Sequence, residues 1–464
     1  MNAVTYLAMI GWIPFSLFVF SKYPGRWACI IVFMLGWMFL PQAKFDLPVL
    51  PDYNKTTAVT FFALVGAMMF DQRSVLAVKF HPVDLPVIAW VVSSMLSSVT
   101  NGLGPFDGLS AAMEKIMVWG LPYFLGRVYF STLDGFKDLA IGMFIAGLVY
   151  APFCLIEMVI SPQMHRLVYG WFPHDFSQTR RWGGWRPVVF MIHGLMLAMW
   201  MACATFMGWQ LLLRGVVRKS VPFFPFLPLL PAVVGLSAVM FLCKSSGALL
   251  LLAIAFAVLL GATFTKKSTL FVVLLVLPLL YMGTRATGLW DGQNLINAAG
   301  AVTRSEERAG SLEFRLRNEN VLVEKAQARL WFGWGGWKRS FVMNEKGDFT
   351  SVPDGLWILT LGENGLFGLI ALTASLLLPA FLFGKRWPAK FWADPVVAPA
   401  AAFAVFLGIF MVDNLLNDMF NPIMMLAAGG LSGVAIHPLG GRTPEVGGHA
   451  AAAPERRIPV TRVI

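Results

Sequence analysis

SLEFRLRNENVLVEKAQARLWFGWGGW, residues 311–337, is followed after a short polar connection by VPDGLWILTLGENGLFGLIAL, residues 352–372. In the first piece Leu312, Leu316, Val323, Ala326 and Leu330 recur at helical spacing. Arg315, Glu319 and Arg329 fall together on another face. Such a helix lies on a membrane, buries one side among headgroups and aims Arg315 inward. GWGGW then makes a sharp turn that brings backbone close to something else. The second piece opens an apolar segment, with Asp354 at its mouth and Glu363 inside it.

Outward from this stretch the chain is built for lipid. Of its 464 residues, 57% are hydrophobic and 13% charged, against about 25% charged in a soluble globule. Apolar segments fall near 3–20, 27–40, 57–70, 83–100, 113–130, 138–160, 188–210, 222–242, 246–264, 268–283, 354–383, 397–413 and 421–436. Many are long enough for a hydrocarbon core of about 30 Å. The expectation is an all-α polytopic membrane bundle of about 12–13 transmembrane helices. Residues 1–436 form its single domain, and 437–464, rich in Gly, Pro, Ala and Arg, form a disordered cytoplasmic tail. The first apolar stretch lacks a basic n-region and a cleavage site, so it reads as an anchor.

Orientation follows from Lys and Arg in alternate short loops: Lys22 and Arg26, Arg73 and Lys79, Arg127 and Lys137, Arg214 to Lys219, Lys266 and Lys267, and Lys385 to Lys390. These loops are assigned to the cytoplasm. The net charge of +11 is spread over them, which argues against a nucleic-acid surface. Cys29, Cys154, Cys203 and Cys243 lie singly in apolar segments and read as small buried hydrophobes.

Two loops on the opposite, outer side carry Arg against this pattern. They are 161–187, containing HRLVYGWFPHDFSQTRRWGGWRP, and the long loop at about 284–353. Long loops cross regardless of charge, yet Arg beside lipid fits a phosphate or pyrophosphate ligand. The guanidinium fork matches phosphate oxygens and stays charged. Arg180, Arg181 and Arg315 are the candidates, with Lys244 of CKSSGALLLL as a further cation or a snorkelling side chain at the outer end of a membrane segment that Ser245 and Ser246 could cap. Trp334 and Trp337 are sugar-stacking candidates, or members of an interfacial aromatic belt. Asp354 suits a group that takes a proton from a sugar hydroxyl, and also a helix N-cap. Glu363 is costly in a membrane helix and therefore functional or paired with a buried cation. Asp413 to Asn421 read as a structural polar turn, and His193 as a satisfied bundle histidine. There is no HExxH, Cys/His or DxD spacing and no P-loop, so neither a metal nor another cofactor is expected.

Arg315, Gly333 and Gly335, Asp354, and Glu363, Gly365 and Gly368 resemble the pattern of the O-antigen ligase and polymerase superfamily of bacterial envelope proteins. In that pattern an Arg opens an amphipathic helix, and a Gly-x-Gly turn follows. A His or Asp then starts a membrane helix that carries Glu-x-Gly-x-x-Gly. KSSGALLLL, GRVYF at 126–130 and RRWGGWRP are also similar to family segments. The resemblance implies inverting, metal-independent glycosyl transfer at the periplasmic face of the bacterial inner membrane. The donor would be a glycan on undecaprenyl pyrophosphate. Arg315 and Arg181 or Arg180 would hold the pyrophosphate, and Asp354 would orient or deprotonate the acceptor hydroxyl. Ligases of the family carry His at the Asp354 position, and their usual Pro before the turn is Leu330 here. The expected activity is therefore polymerisation of exopolysaccharide, capsule or O-antigen repeats, beside a flippase and a chain-length regulator. The alternatives are transfer of a finished glycan to a lipid or protein acceptor, and a non-enzymatic polysaccharide transporter or flippase. The sugar, linkage and acceptor are not written in these motifs.

Overall fold

The computed structural model describes residues 1–47, 51–297 and 306–436. The expected tail at 437–464 and Arg304 of the long loop lie outside the described residues. Among these residues are 17 α-helices. They are α1 (Ala3–Lys22), α2 (Gly25–Phe39), α3 (Lys55–Phe70), α4 (Gln72–Leu76), α5 (Leu85–Thr100), α6 (Pro105–Lys115), α7 (Leu121–Tyr129), α8 (Leu133–Ile160) and α9 (Met164–Tyr169). There follow α10 (Gly194–Leu213), α11 (Leu229–Leu242), α12 (Ser246–Thr265), α13 (Thr269–Ala286), α14 (Glu306–Gln327), α15 (Leu356–Arg386), α16 (Ala398–Leu416) and α17 (Pro422–Ile436). Three two-stranded antiparallel hairpins are the described sheet structure: β1–β2 (Lys44–Phe45, Tyr53–Asn54), β3–β4 (Arg180–Arg181, Gly184–Trp185) and β5–β6 (Ser220–Val221, Phe224–Pro228).

Eight helical segments are long and apolar enough to cross a bilayer. They are not equivalent. In α16 and α10, 89% and 83% of the most apolar window is buried, against 28% in α12 and 33% in α1 and α13. The first two are the centre of the bundle; the others turn an apolar face outward, as helices in contact with lipid do. The centre is possible because α16 is rich in Ala, so helices approach closely. One connected apolar core runs from Met9 to Val434.

α15 is broken. Gly365 has φ 66° and ψ −166°, outside helical space. The interruption is filled by the GWGGW segment that precedes the helix in sequence. Trp334 N donates to Gly362 O at 2.8 Å and Gly335 N to Glu363 O at 3.0 Å. In return Leu366 N donates to Leu330 O at 2.7 Å and Phe367 N to Trp331 O at 3.2 Å. The two backbones thus satisfy each other's freed groups, the condition for a helix break inside an apolar bundle. A Cβ at Gly333 would strike the Glu363–Asn364 backbone, and one at Gly365 the Trp331–Phe332 backbone. Both glycines also have positive φ.

Several boundaries differ from the sequence expectation for local reasons. The segment expected from 222 starts at Leu229, because Pro222, Pro225 and Pro228 favour the β5–β6 hairpin instead. The segment expected from 188 starts at Gly194, where His193 Nδ1 accepts from Leu195 N at 2.9 Å. Between the segments expected at 83–100 and 113–130 the chain becomes helical at Pro105, a residue suited to the first helical position. That helix continues through a π-helical turn, Ile116–Gly120, into α7.

Candidate functional site

The 161–187 loop is held at both ends by one side chain. Glu157, in the last turn of α8, accepts from Met164 N at 2.9 Å through Oε1. Its Oε2 accepts from Val188 N at 2.8 Å and Val189 N at 2.7 Å. Val189 has φ 55°, a strained conformation for a β-branched residue, which the carboxylate stabilises. Phe190 is fixed next to it: its N–H donates to the Tyr150 hydroxyl at 3.0 Å and its carbonyl accepts from Lys55 Nζ at 2.9 Å. The loop is therefore a rigid arch across the end of the bundle.

Alternation along β3 separates the two expected arginines. Arg180 is exposed, its guanidinium 5.8 Å from the Trp185 ring. Arg181 is half-buried and acts electrostatically on Arg186 and His193. Arg186 is the most enclosed cation of the loop, at 4% exposure. Its Nη2 donates to Ser245 Oγ at 3.2 Å, while its Nε has no partner. No carboxylate pairs with it among the described residues. Burial, then the positive charge of Arg181 and of Arg315, push it down to about 10, so it remains cationic at neutral pH.

Ser245 and Arg315 reach this guanidinium from two other elements, and Lys244 directly precedes Ser245. Ser245 begins α12 without a side-chain cap bond; the expected capping role is replaced by its contact with Arg186. Lys244, with φ 53°, lies against β4, where a Cβ on Gly184 would overlap its ammonium. Arg315, on α14, lies within electrostatic reach of Arg186, His193 and Asp413. Its Nε is 3.5 Å from Asp354 Oδ2. Asp354 does not cap α15, whose N-cap is Gly355; Leu356 N instead donates to Asn417 O at 3.0 Å. Burial raises the Asp354 pKa and the adjacent Arg315 guanidinium opposes that rise. Both side chains of this pair are about a third exposed (27% and 34%), so it opens at small cost.

α14 is aimed by a buried ion pair. Arg285 Nε donates to Glu319 Oε2 at 3.0 Å and Nη2 to Leu316 O at 2.8 Å. Tyr281 Oη and Trp357 Nε1 also donate to Glu319, at 2.8 and 3.2 Å. The helix ends at Gln327, so Arg329 leaves the expected common face and sits 4.8 Å from the Trp334 ring.

Trp334, Trp337 and Glu363 belong to the interlock, with Arg329 as the arginine against Trp334. Trp334 Nε1 donates to Lys325 O at 2.9 Å. Trp337 is 79% exposed, and its Nε1 reaches Asp107 Oδ1 at 3.3 Å. Glu363 lies within electrostatic reach of Lys115 and of Asp418. Lys115 Nζ donates to Asn364 Oδ1 at 2.9 Å, 3.3 Å from the Trp90 ring centroid. Asp418 belongs to the same turn as Asn417, so this polar region borders the Asp354 mouth.

The arrangement is a cationic cluster, enclosed at Arg186 and partly exposed at Arg181 and Arg315, beside the partly exposed carboxylate of Asp354. It suits a polyanion with a hydroxyl group placed next to it. Among the described residues no three His, Cys, Asp or Glu side chains stand together as metal ligands. Sequence reading did not single out Arg186 or Glu157, and it took Asp413, whose Oδ2 is buried without a partner, as part of a structural turn. The available signal for Arg186 was its position directly before an apolar run that contains no acid. No family model and no curated protein matches the chain.

Proposed function

We propose that the chain is a multi-pass protein of the bacterial inner membrane that transfers glycan from undecaprenyl pyrophosphate at its periplasmic face, extending polysaccharide repeats. The observation that carries this reading is the convergence of Arg186, Arg181, Arg315 and Lys244 beside Asp354 at one end of an apolar bundle. The pyrophosphate of a lipid-linked donor lies at the depth of headgroups, where these cations would meet it. Arg186 and Arg315 bind its oxygens and stabilise the charge that develops as the sugar C1–O bond breaks. Asp354 Oδ takes the proton of the attacking acceptor hydroxyl, which adds to C1 from the opposite face and inverts it. Lys244 neutralises the departing diphosphate.

The broken helix α15 favours one competing reading, since discontinuous helices hold substrates in transporters. Here the break is occupied by the chain's own 330–335 backbone, which takes the backbone groups of Gly362, Glu363, Leu366 and Phe367 that a cargo would need.

Full-length protein in liposomes with a lipid-linked oligosaccharide repeat is expected to lengthen the glycan with EDTA present and no nucleotide. Full activity of R315A would sink the mechanism. In cells, a deletion that leaves single-repeat product supports the polymerase, whereas full-length glycan stranded on its carrier would replace it with the ligase.

A further inference from the structure

At the end of the bundle away from the arginine pocket, a second cationic surface has no role in the proposed transfer. Between Met158 and Trp290 the single acidic residue is Asp175, and it lies in the arginine loop. The same stretch carries Arg214, Arg218, Lys219, Lys266 and Lys267. Folding brings them together. Arg214, the C-cap of α10, donates through Nη2 to Thr263 Oγ1 near the end of α12 at 3.1 Å. Lys266, which caps α12, and Lys267 follow within four residues of Thr263. Arg218 and Lys219 lead into the β5–β6 hairpin, whose last strand returns to them through Leu229 N donating to Lys219 O at 3.1 Å.

Two features distinguish this surface from scattered basic loops. The Arg214 Nε is buried and has no partner, and no carboxylate pairs with the five cations among the described residues. Large aromatic side chains stand exposed beside them: Phe226 at 80% and Phe264 at 82%, with Phe223 at φ 68° on the hairpin turn. A single terminal cation satisfies the dipole of each helix end; five exceed that need. Cations at headgroup depth with apolar rings directed toward acyl chains form a combination suited to lipid phosphate.

We propose that the ends of α10 and α12, with the β5–β6 hairpin, bind the phosphodiester headgroup of an anionic phospholipid. Arg214 contacts the phosphate, Lys266 and Lys267 supply the surrounding charge, and Phe226 and Phe264 lie along the chains. This rests on insertion of the chain in a membrane and is independent of glycosyl transfer.

Native mass spectrometry of the full chain released from nanodiscs of mixed phosphatidylglycerol and phosphatidylcholine tests it. The expected result is preferential retention of phosphatidylglycerol. R214Q should reduce that retention about fivefold and K266Q/K267Q further, with phosphatidylcholine unchanged. The double lysine variant alters exposed residues and covers the case in which R214Q does not fold. Equal retention of the two lipids, or wild-type phosphatidylglycerol retention in the double variant, overturns the proposal. So does displacement of the bound lipid by excess inorganic phosphate, which would make it a free-phosphate site.

Discussion

Arg186 and Asp354 are the residues on which the proposed chemistry turns, and they call for different tests. Arg186 is buried without a carboxylate, so an anionic ligand is its natural counter-charge. R186Q should lower kcat by roughly 100- to 1,000-fold, the range for losing one transition-state donor. R186K should rescue little, because an ammonium cannot reproduce the bidentate fork. Liposome assays of glycan length against time read both. Asp354 must be ionised to accept a proton, and burial raises its pKa above the ordinary carboxylate value. Activity should therefore rise with pH through an acid limb displaced upward from about 4. In the residual activity of R315Q the limb should move higher still, since the guanidinium that opposes the rise is gone. D354N should show no such limb. A limb that stays fixed in R315Q would remove Asp354 from the role. Asp354 was legible from its place before an apolar run, and the cap it also resembled is made by Gly355. Arg186 was hidden because Arg180, Arg181 and Arg186 share one loop, and only the fold shows that Arg180 is exposed, Arg181 half-buried and Arg186, past β4 with its N–H on Thr179 O, enclosed.

At the scale of elements, a helix through Leu312 to Gln327 was readable from its periodicity, whereas its faces and attachment were not: Glu319, expected on the polar face, is buried beside Leu316 and Ala326, and Leu330 lies beyond the helix end. Periodicity gives a helix; it does not name the partner of a charge on it. Glu319 meets Arg285, 34 residues earlier at the end of α13, and both are almost fully enclosed. Removing one member leaves the other buried and uncompensated, at a cost of about 3–5 kcal/mol. E319Q should thus lower Tm markedly and weaken transfer by releasing Arg315 from its position. E319M/R285M, which removes both charges, should recover most of the stability. A thermal melt of the three proteins in detergent separates the two effects; equal Tm for E319Q and wild type would show that the pair does not anchor α14. The GWGGW turn follows the same logic. Its glycines announced a close approach of backbone, and the approach is to Gly362–Phe367, within the next helix. The Glu-Asn-Gly run that breaks α15 looked like ordinary helix because apolar residues continue on both sides of it.

For the whole molecule, the apolar segments were legible because hydropathy is a property of composition over about 20 residues, insensitive to partners. Which helices are central was not, since α10, α12 and α16 are all strongly apolar in sequence and differ only in what surrounds them. Sidedness is the global property that the proposed function most needs: pyrophosphate-linked glycan and the arginine pocket must share the periplasmic face. The chain supplies a quiet background for measuring it, because all four cysteines, Cys29, Cys154, Cys203 and Cys243, are buried and unpaired. A cysteine placed at exposed Arg180 should react in intact cells with a maleimide that crosses the outer membrane and not the inner one. One at Lys266, on the surface with the five cations, should react only after the inner membrane is opened. Basic residues retained on the cytoplasmic side predict this order. The reverse order would put the arginine pocket opposite the glycan carrier and end the glycosyl-transfer reading, while leaving the phospholipid site at Arg214 to be judged by its own lipid preference.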